Sequence, residues 1–417
     1  MKKGFFLSTV ALLSLGALTG CGGGGSSTEP APSEESHAED LNVGEVVVWC
    51  DEAIKDTVQS QLDAFKAAHP KYTISFSIEE VSESTAATQA ISDPEECGDL
   101  YFFAQDQLSR LVSAGALQKL NAYAKYQVQQ MNDAGSVKAA TLNNDVYAYP
   151  ATSDNGYFLY YDKSVFGNTD MTDFDAVAAA AKAAGKTIYY NYGSAWYNAA
   201  FFFAGGAHCV YELDEDGNFV DVDDTYDSAG GKAAAQALHE LVKDKTVFVD
   251  DSSGAGFNKG AAAVISGTWD AATVKGALGD NMGATMLPKV KINGQATQLS
   301  SFAGFKLLGT KKQTTADRVI AVRELALQLT GEAAQKQRFE EKNWGPSNKN
   351  VQALPEVQAD PVLKAIFAQN AVATPQGQYP NAWWSLAGAL GTDLAKADAD
   401  VNALIQTYKE GLPGTLD

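Results

Sequence analysis

Six tryptophans, at positions 49, 196, 269, 344, 383 and 384, are flanked by carboxylates and amides, and these are the residues of this 417-residue chain best suited to chemistry. Trp49 precedes Asp51 and Glu52, and Trp269 lies between Ser266-Gly267-Thr268 and Asp270. Trp196 follows Asn191-Tyr192-Gly193-Ser194, and Trp344 lies in the turn signal NWGPS. Trp383 and Trp384 open a helical pattern just after Tyr379-Pro380. Asp106, Asp154 and Asn155 sit at further element ends, where α/β folds bind ligands. Indoles beside carboxylates suit an uncharged sugar, because a pyranose ring has an apolar face and a rim of hydroxyls. An indole covering about 60 Å² of that face contributes about 1.5 kcal/mol at about 25 cal/mol/Å². Charge-assisted hydrogen bonds to hydroxyls add about 1.5–3 kcal/mol each before ordering costs. Three platforms and a few carboxylates thus reach about −8 kcal/mol, a micromolar site. The competing reading makes each tryptophan a core residue, but the interiors of the strand-like runs use Val, Ile and Phe instead.

Other chemistries lack their residues. GTKKQTT (309–315) does not have the spacing of a phosphate-binding loop. His239 lies inside a helical pattern, and His208 has no partner at metal-ligand spacing. Asp214, Asp216 and Asn218 mimic the start of a calcium loop, but Phe219 stands where glycine is required. Asp223, Asp224 and Asp227 read as solvated caps of the next helix. No GxSxG elbow is present. No cofactor, no metal and no catalytic residue are expected. A surface glycoside hydrolase is the remote alternative; it needs two carboxyls about 5–9.5 Å apart, such as Asp106 and Asp154.

The net charge of −20 opposes nucleic acid, whose affinity comes mainly from Lys and Arg at phosphates. Lys2 and Lys3, the apolar run FFLSTVALLSLGALT and Gly20-Cys21 describe a signal peptide over 1–20. Its ending, LTGC, resembles a bacterial lipobox. That resemblance implies cleavage before Cys21, lipidation of Cys21 and anchoring outside the cytoplasm at the bacterial cell membrane. Cleavage removes two lysines and leaves a mature charge of −22. Residues 22–41, GGGGSSTEPAPSEESHAEDL, have almost nothing to bury and read as a tether with a reach of about 25 Å. Cys50, Cys97 and Cys209 are an odd number, which suggests free thiols, with one pair left open.

Strand and helix patterns alternate along the body. EVVVW (45–49), YTISFSI (72–78) and the continuous apolar run LYFFA (100–104) read as strands of a parallel sheet. Ile54, Val58, Leu62 and Phe65 recur at helical spacing, and Asp106 opens a helix closed at Gly115. After Pro150 come the strands YFLYY (157–161) and TIYY (187–190), a hairpin turning at Asp216-Gly217, and a helix over 228–244. Further strands, with a turn at Asn293-Gly294, precede a mostly helical stretch from about 314. Two α/β lobes of comparable size fit this pattern.

The segments GEVVVWCDE, DLYFFAQDQLSRLVSAGAL, VYAYPATSDNGYFLYYDKSVF, AFFFAGGA, GFNKGAAAVISGTWD and NAWWSLAGAL, in this order, resemble the family 1 extracellular solute-binding proteins of sugar ABC importers. The pattern is nearest the maltose/maltodextrin binders and covers about 44–410. The resemblance implies two lobes closing on a ligand about crossovers near 150–156, 297–303 and 344–352. The N-terminal lobe would be 44–151 plus 303–346, and the C-terminal lobe 156–298 plus 352–417, with 21–43 as the lipidated tether. It implies sugar contacts at Trp49, at Asp51 or Glu52, at Asp106, at Asp154 or Asn155, at Trp196, at Trp269, and at Trp384 or Trp383. Gln107 stands where the family carries arginine. Trp344 has no aromatic counterpart, so it is either an added subsite platform or packing at the third crossover. Tyr157 is a weaker cleft candidate. The implied function is capture of maltooligosaccharides for a membrane permease by a monomer; the alternative is a β-linked or branched oligosaccharide in the same role.

Overall fold

The computed structural model describes residues 32–33, 37–214, 219–249 and 253–415. The signal peptide, Cys21 and the Asp216-Gly217 turn lie outside the described residues. Residues 37–41 lie against the body instead of hanging free. His37 Nε2 is 2.8 Å from Glu324 Oε1, and Lys71 pairs with Glu39.

Among the described residues, two five-stranded sheets organise the chain. In the first, the strands run in the order Thr73–Glu80, Asn42–Cys50, Leu100–Ala104, Lys306–Thr310, Ala148–Thr152. The first three are parallel, with Val48 opposite Leu100 and Trp49 opposite Tyr101. Leu100, Tyr101, Phe102 and Phe103 are all buried, as a strand covered on both faces requires. The helix Lys55–Ala68 turns Val58, Leu62 and Phe65 inward at helical spacing.

In the second sheet the order is Val247–Phe248, Thr187–Tyr189, Ala261–Ser266, Phe158–Asp162, Met282–Thr285. Neither sheet is purely parallel. Lys306–Thr310 runs antiparallel to both its neighbours, as does Phe158–Asp162. Each of these two strands enters its sheet directly from the other lobe. Such a strand carries no crossover helix, and so nothing constrains it to the parallel direction.

One apolar core gathers residues from 41–151 and 307–344, and two others gather residues from 157–302 and 339–408. The chain passes between the sheets at 152–158 and at 298–306, and returns between the helices Glu332–Lys342 and Pro361–Asn370. Phe302–Ala303 pairs in parallel with Thr374–Pro375, which ties the second passage to the late helices.

Some local expectations change. Asp106 does not cap the helix Leu108–Ser113; it lies in a preceding 3-10 turn, Gln105–Gln107, and its side chain is buried. Ser228, not an aspartate, caps Ala229–Val242. Asp224 is buried, because Tyr408 and Lys409 satisfy its carboxylate. The Asn293-Gly294 turn forms with both residues at positive φ, 51° and 75°, as a tight hairpin between twisted strands needs. Cys50, Cys97 and Cys209 are buried free thiols, and burial pushes Cys50 and Cys97 up to about 12. Such thiols are unreactive at neutral pH.

Candidate functional site

A cavity of about 540 Å³ lies between the lobes, at the C-terminal ends of the parallel strands. Asp51 follows Asn42–Cys50, Glu83 follows Thr73–Glu80, and Asp106 with Arg110 follows Leu100–Ala104. Across the cavity, Trp196 stands beyond Thr187–Tyr189 and Trp269 beyond Ala261–Ser266. Asn155 comes from the first passage between lobes, and Tyr379 and Trp384 from the late helical region.

The aromatic wall is braced from behind. Trp196 stacks on Phe302 with ring centres 5.1 Å apart and 18° between planes. Trp384 lies 5.9 Å from Phe302 and meets Tyr379 edge-on at 5.2 Å. Both indoles remain half-buried, so faces stay available to a ligand. Trp269 folds back over Gly267, where an added Cβ would sit 2.1 Å from its ring. Only glycine fits there.

Of the tryptophans, carboxylates and amides singled out in the sequence, Asp51, Asp106, Asn155, Trp196, Trp269, Trp344 and Trp384 line the cavity. Trp49, Glu52, Asp154 and Trp383 do not. Trp49 is buried beside Tyr101, and its indole N–H donates to Glu79 Oε2 at 2.7 Å. Glu52 is exposed in a 3-10 turn that Asp51 caps by accepting from the Ala53 N–H. Asp154 is 2% exposed and accepts from Thr268 Oγ1 and from the Gly345 N–H, both at 2.5 Å. It therefore ties the first passage to the third and to the 3-10 turn Thr268–Asp270, and it does not line the cavity opposite Asp106. Trp383 is 1% exposed and donates to Tyr408 Oη at 2.9 Å. Tyr157 is also buried, donating to the Tyr197 carbonyl.

Glu83, Arg110, Lys306, Gln376, Tyr379 and Asn381 line the cavity without having been singled out. Arg110 was findable, because it lies four residues after Asp106, one helical turn on. Lys306 is a lone cation at the head of the buried strand KLLGT, which is itself a signal. Gln107 also lines the cavity, but its amide is engaged: it accepts from the Ala87 N–H and donates to the Ser84 carbonyl. The cavity receives its arginine from Arg110 instead.

Asp106 is 7% exposed and its Oδ1 has no hydrogen-bond partner among the described residues. Burial pushes its carboxyl up to about 7, against the opposing pull of its own backbone N–H, Arg110 and Gln376. A ligand hydroxyl donating to this carboxylate needs it ionised. Affinity should therefore rise with pH by up to about tenfold per unit below pH 7 and level off above about 8. Asp106→Asn should bind more weakly with a flat profile between pH 5.5 and 8.5. A wild-type profile that is flat in titration calorimetry would contradict this. The folding linkage has the opposite sense. The stability this group contributes is complete below about pH 3.8 and is lost as pH rises through about 7.

The model of the bacterial extracellular solute-binding protein family matches residues 60–365. A galactooligosaccharide-binding protein of Bacillus subtilis (strain 168) is 24% identical over 435 positions, covering 99% of this chain and 96% of its own. A solved structure with acarbose is 26% identical, with a TM-score of 0.79 over 89% of this chain and 99% of that one. The unliganded maltodextrin-binding protein MalE1 from L. casei BL23 is 21% identical, with a TM-score of 0.75 over 88% and 98%. These structures share the two-lobe fold. With the match spanning most of the body, the chain belongs to the bacterial extracellular solute-binding proteins.

Proposed function

We propose that this protein captures an uncharged oligosaccharide, an α-1,4-linked maltooligosaccharide, between its lobes and delivers it to the membrane permease of an ABC importer. The observation that carries the reading is the set of indoles Trp196, Trp269 and Trp384 facing the carboxylates Asp51, Glu83 and Asp106 across one cavity. Stacking supplies affinity without charge, and the carboxylates accept from hydroxyls. The lobes would be 44–151 plus 303–346 and 156–298 plus 352–417. Capture works by differential affinity: ligand touching both lobes favours the closed arrangement over the open one. The permease would recognise that closed form. The protein acts as a monomer held at the outer membrane face by lipidated Cys21 after removal of 1–20. It needs no cofactor and performs no catalysis.

A second reading keeps the role and changes the sugar. The Bacillus subtilis relative, aligned over nearly the whole of both chains, favours a galactooligosaccharide. Calorimetric titration of the mature protein with maltotriose, maltopentaose, xylotriose, cellotriose and a galactotriose separates the two. Micromolar binding of the α-1,4 sugars alone supports the first reading. Binding of another trisaccharide without maltotriose overturns the linkage and retains the role.

A further inference from the structure

Trp344 lines the cavity, but its ring face is covered. Lys306 Nζ lies 3.9 Å from the Trp344 ring centre. The same ammonium is 3.4 Å from Glu83 Oε1. All three groups are largely withdrawn from water: Trp344 is 3% exposed, and the side chains of Lys306 and Glu83 are 11% and 8% exposed. All three also line the cavity. The trio is assembled from distant pieces of chain. Lys306 heads the strand Lys306–Thr310, fourth in the first sheet, where its backbone faces Ala104 and Thr152. Glu83 lies in the loop after Thr73–Glu80, and its carbonyl accepts from the Ala104 N–H at 3.2 Å. Trp344 follows the left-handed residue Asn343, which ends the helix Glu332–Lys342.

An ammonium has three N–H donors and no acceptor. One points to Glu83 and the ring quadrupole attracts the charge, which keeps the cation in place at low exposure. The lysine thus retains a donor for the cavity, and Glu83 retains acceptor capacity beside it. A donor and an acceptor held together match a sugar hydroxyl, or two neighbouring hydroxyls, which both accept and donate. They do not match a carboxylate or phosphate, because the Glu83 carboxylate beside the ammonium would repel it. Nor does the arrangement leave that face of Trp344 open for a pyranose ring.

We propose that Lys306 and Glu83 form a hydroxyl-reading point that sets sugar specificity, and that Trp344 is a positioning residue for Lys306 rather than a stacking platform. This inference rests on the oligosaccharide reading of the cavity.

The test is a mutant cycle by titration calorimetry with maltotriose and maltopentaose, using Lys306→Met, Trp344→Leu, Trp344→Phe and the Lys306→Met/Trp344→Leu double variant. Thermal unfolding of each variant confirms that it folds. Loss of a hydrogen bond from a charged group predicts about 10- to 100-fold weaker binding for Lys306→Met. Trp344→Leu should weaken both sugars to a similar degree. The double variant should be no weaker than Lys306→Met alone, because Trp344 acts through Lys306. Trp344→Phe keeps a ring face for the cation and should stay within about threefold of wild type. Multiplicative losses in the double variant, or a loss at Trp344 confined to maltopentaose, would show that Trp344 stacks on sugar and would overturn the proposal. If wild type binds cellotriose or a galactotriose and not maltotriose, the cycle is run with that sugar. The linkage assignment then fails independently of the hydroxyl-reading point. If wild type binds none of these sugars, the oligosaccharide reading fails and the hydroxyl-reading point fails with it.

Discussion

Trp384→Ala is expected to weaken oligosaccharide binding by about 30-fold or more while the protein stays folded. The indole lines the cavity and is only half-buried. Its inner side rests against Phe302, Tyr379 and Trp383. Those rings also brace one another: Tyr379 stacks on Trp383 at 4.2 Å, and Phe302 stacks on Trp196 at 5.1 Å. Truncating Trp384 therefore removes a ligand face more than a core contact. Aromatic anchors at recognition sites cost about 2 kcal/mol or more when truncated, which is about 30-fold in Kd. Calorimetric titration gives the Kd, and thermal unfolding should show a midpoint close to wild type. An unchanged Kd in a folded variant would remove Trp384 from the site.

The neighbouring residue should behave in the opposite way. Trp383 is 1% exposed, and its indole N–H donates to Tyr408 Oη, which in turn donates to Asp224 Oδ2 at 2.8 Å. Lys409 Nζ closes the chain at 3.0 Å from Asp224 Oδ1. This relay joins the helix Asn381–Leu394 to the helix Val401–Glu410 and to the end of the strand Phe219–Asp224. Trp383→Ala would leave a large cavity and break the relay, costing about 3–5 kcal/mol of stability. The measurement is urea denaturation, where the midpoint should fall with little change in slope. At a temperature where the variant is folded, its Kd should stay within a few-fold of wild type. Wild-type stability with lost binding would mean that Trp383, not Trp384, is the platform.

The contrast between these two residues shows what a sequence can and cannot reveal. Both open the same helix, one residue apart, so the helix rotation alone decides which faces the cavity. The motif leaves that choice open, and packing on Tyr408 settles it. Trp49 illustrates a harder case. Its place at the end of a strand is plain, but the end of that strand, Val48-Trp49-Cys50, is buried on both faces. Alternation cannot then say which way a side chain points. Its indole turns toward Tyr101 and the backbone at Gly98, away from the cavity.

The place of Asp106 at the cavity was legible because it comes two residues after a continuous apolar strand, at an element end of the kind where α/β folds bind ligands. The pairing of Glu83 with Lys306 was not. The two are 223 residues apart in the chain and meet only once the strand Lys306–Thr310 is inserted between Leu100–Ala104 and Ala148–Thr152. The α/β alternation was readable from local periodicity. The two reversed strands were not, because direction depends on where the chain re-enters each sheet.

An uncharged oligosaccharide is expected to occupy the cavity between the lobes and to leave it chemically unchanged. The most direct measurement is calorimetric titration of the mature protein with maltotriose, followed by chromatography of the same sample after prolonged incubation. The account predicts one site per chain, a micromolar Kd and intact trisaccharide at the end. Shorter products from pure protein, or no heat with maltotriose or any other uncharged oligosaccharide, would contradict it.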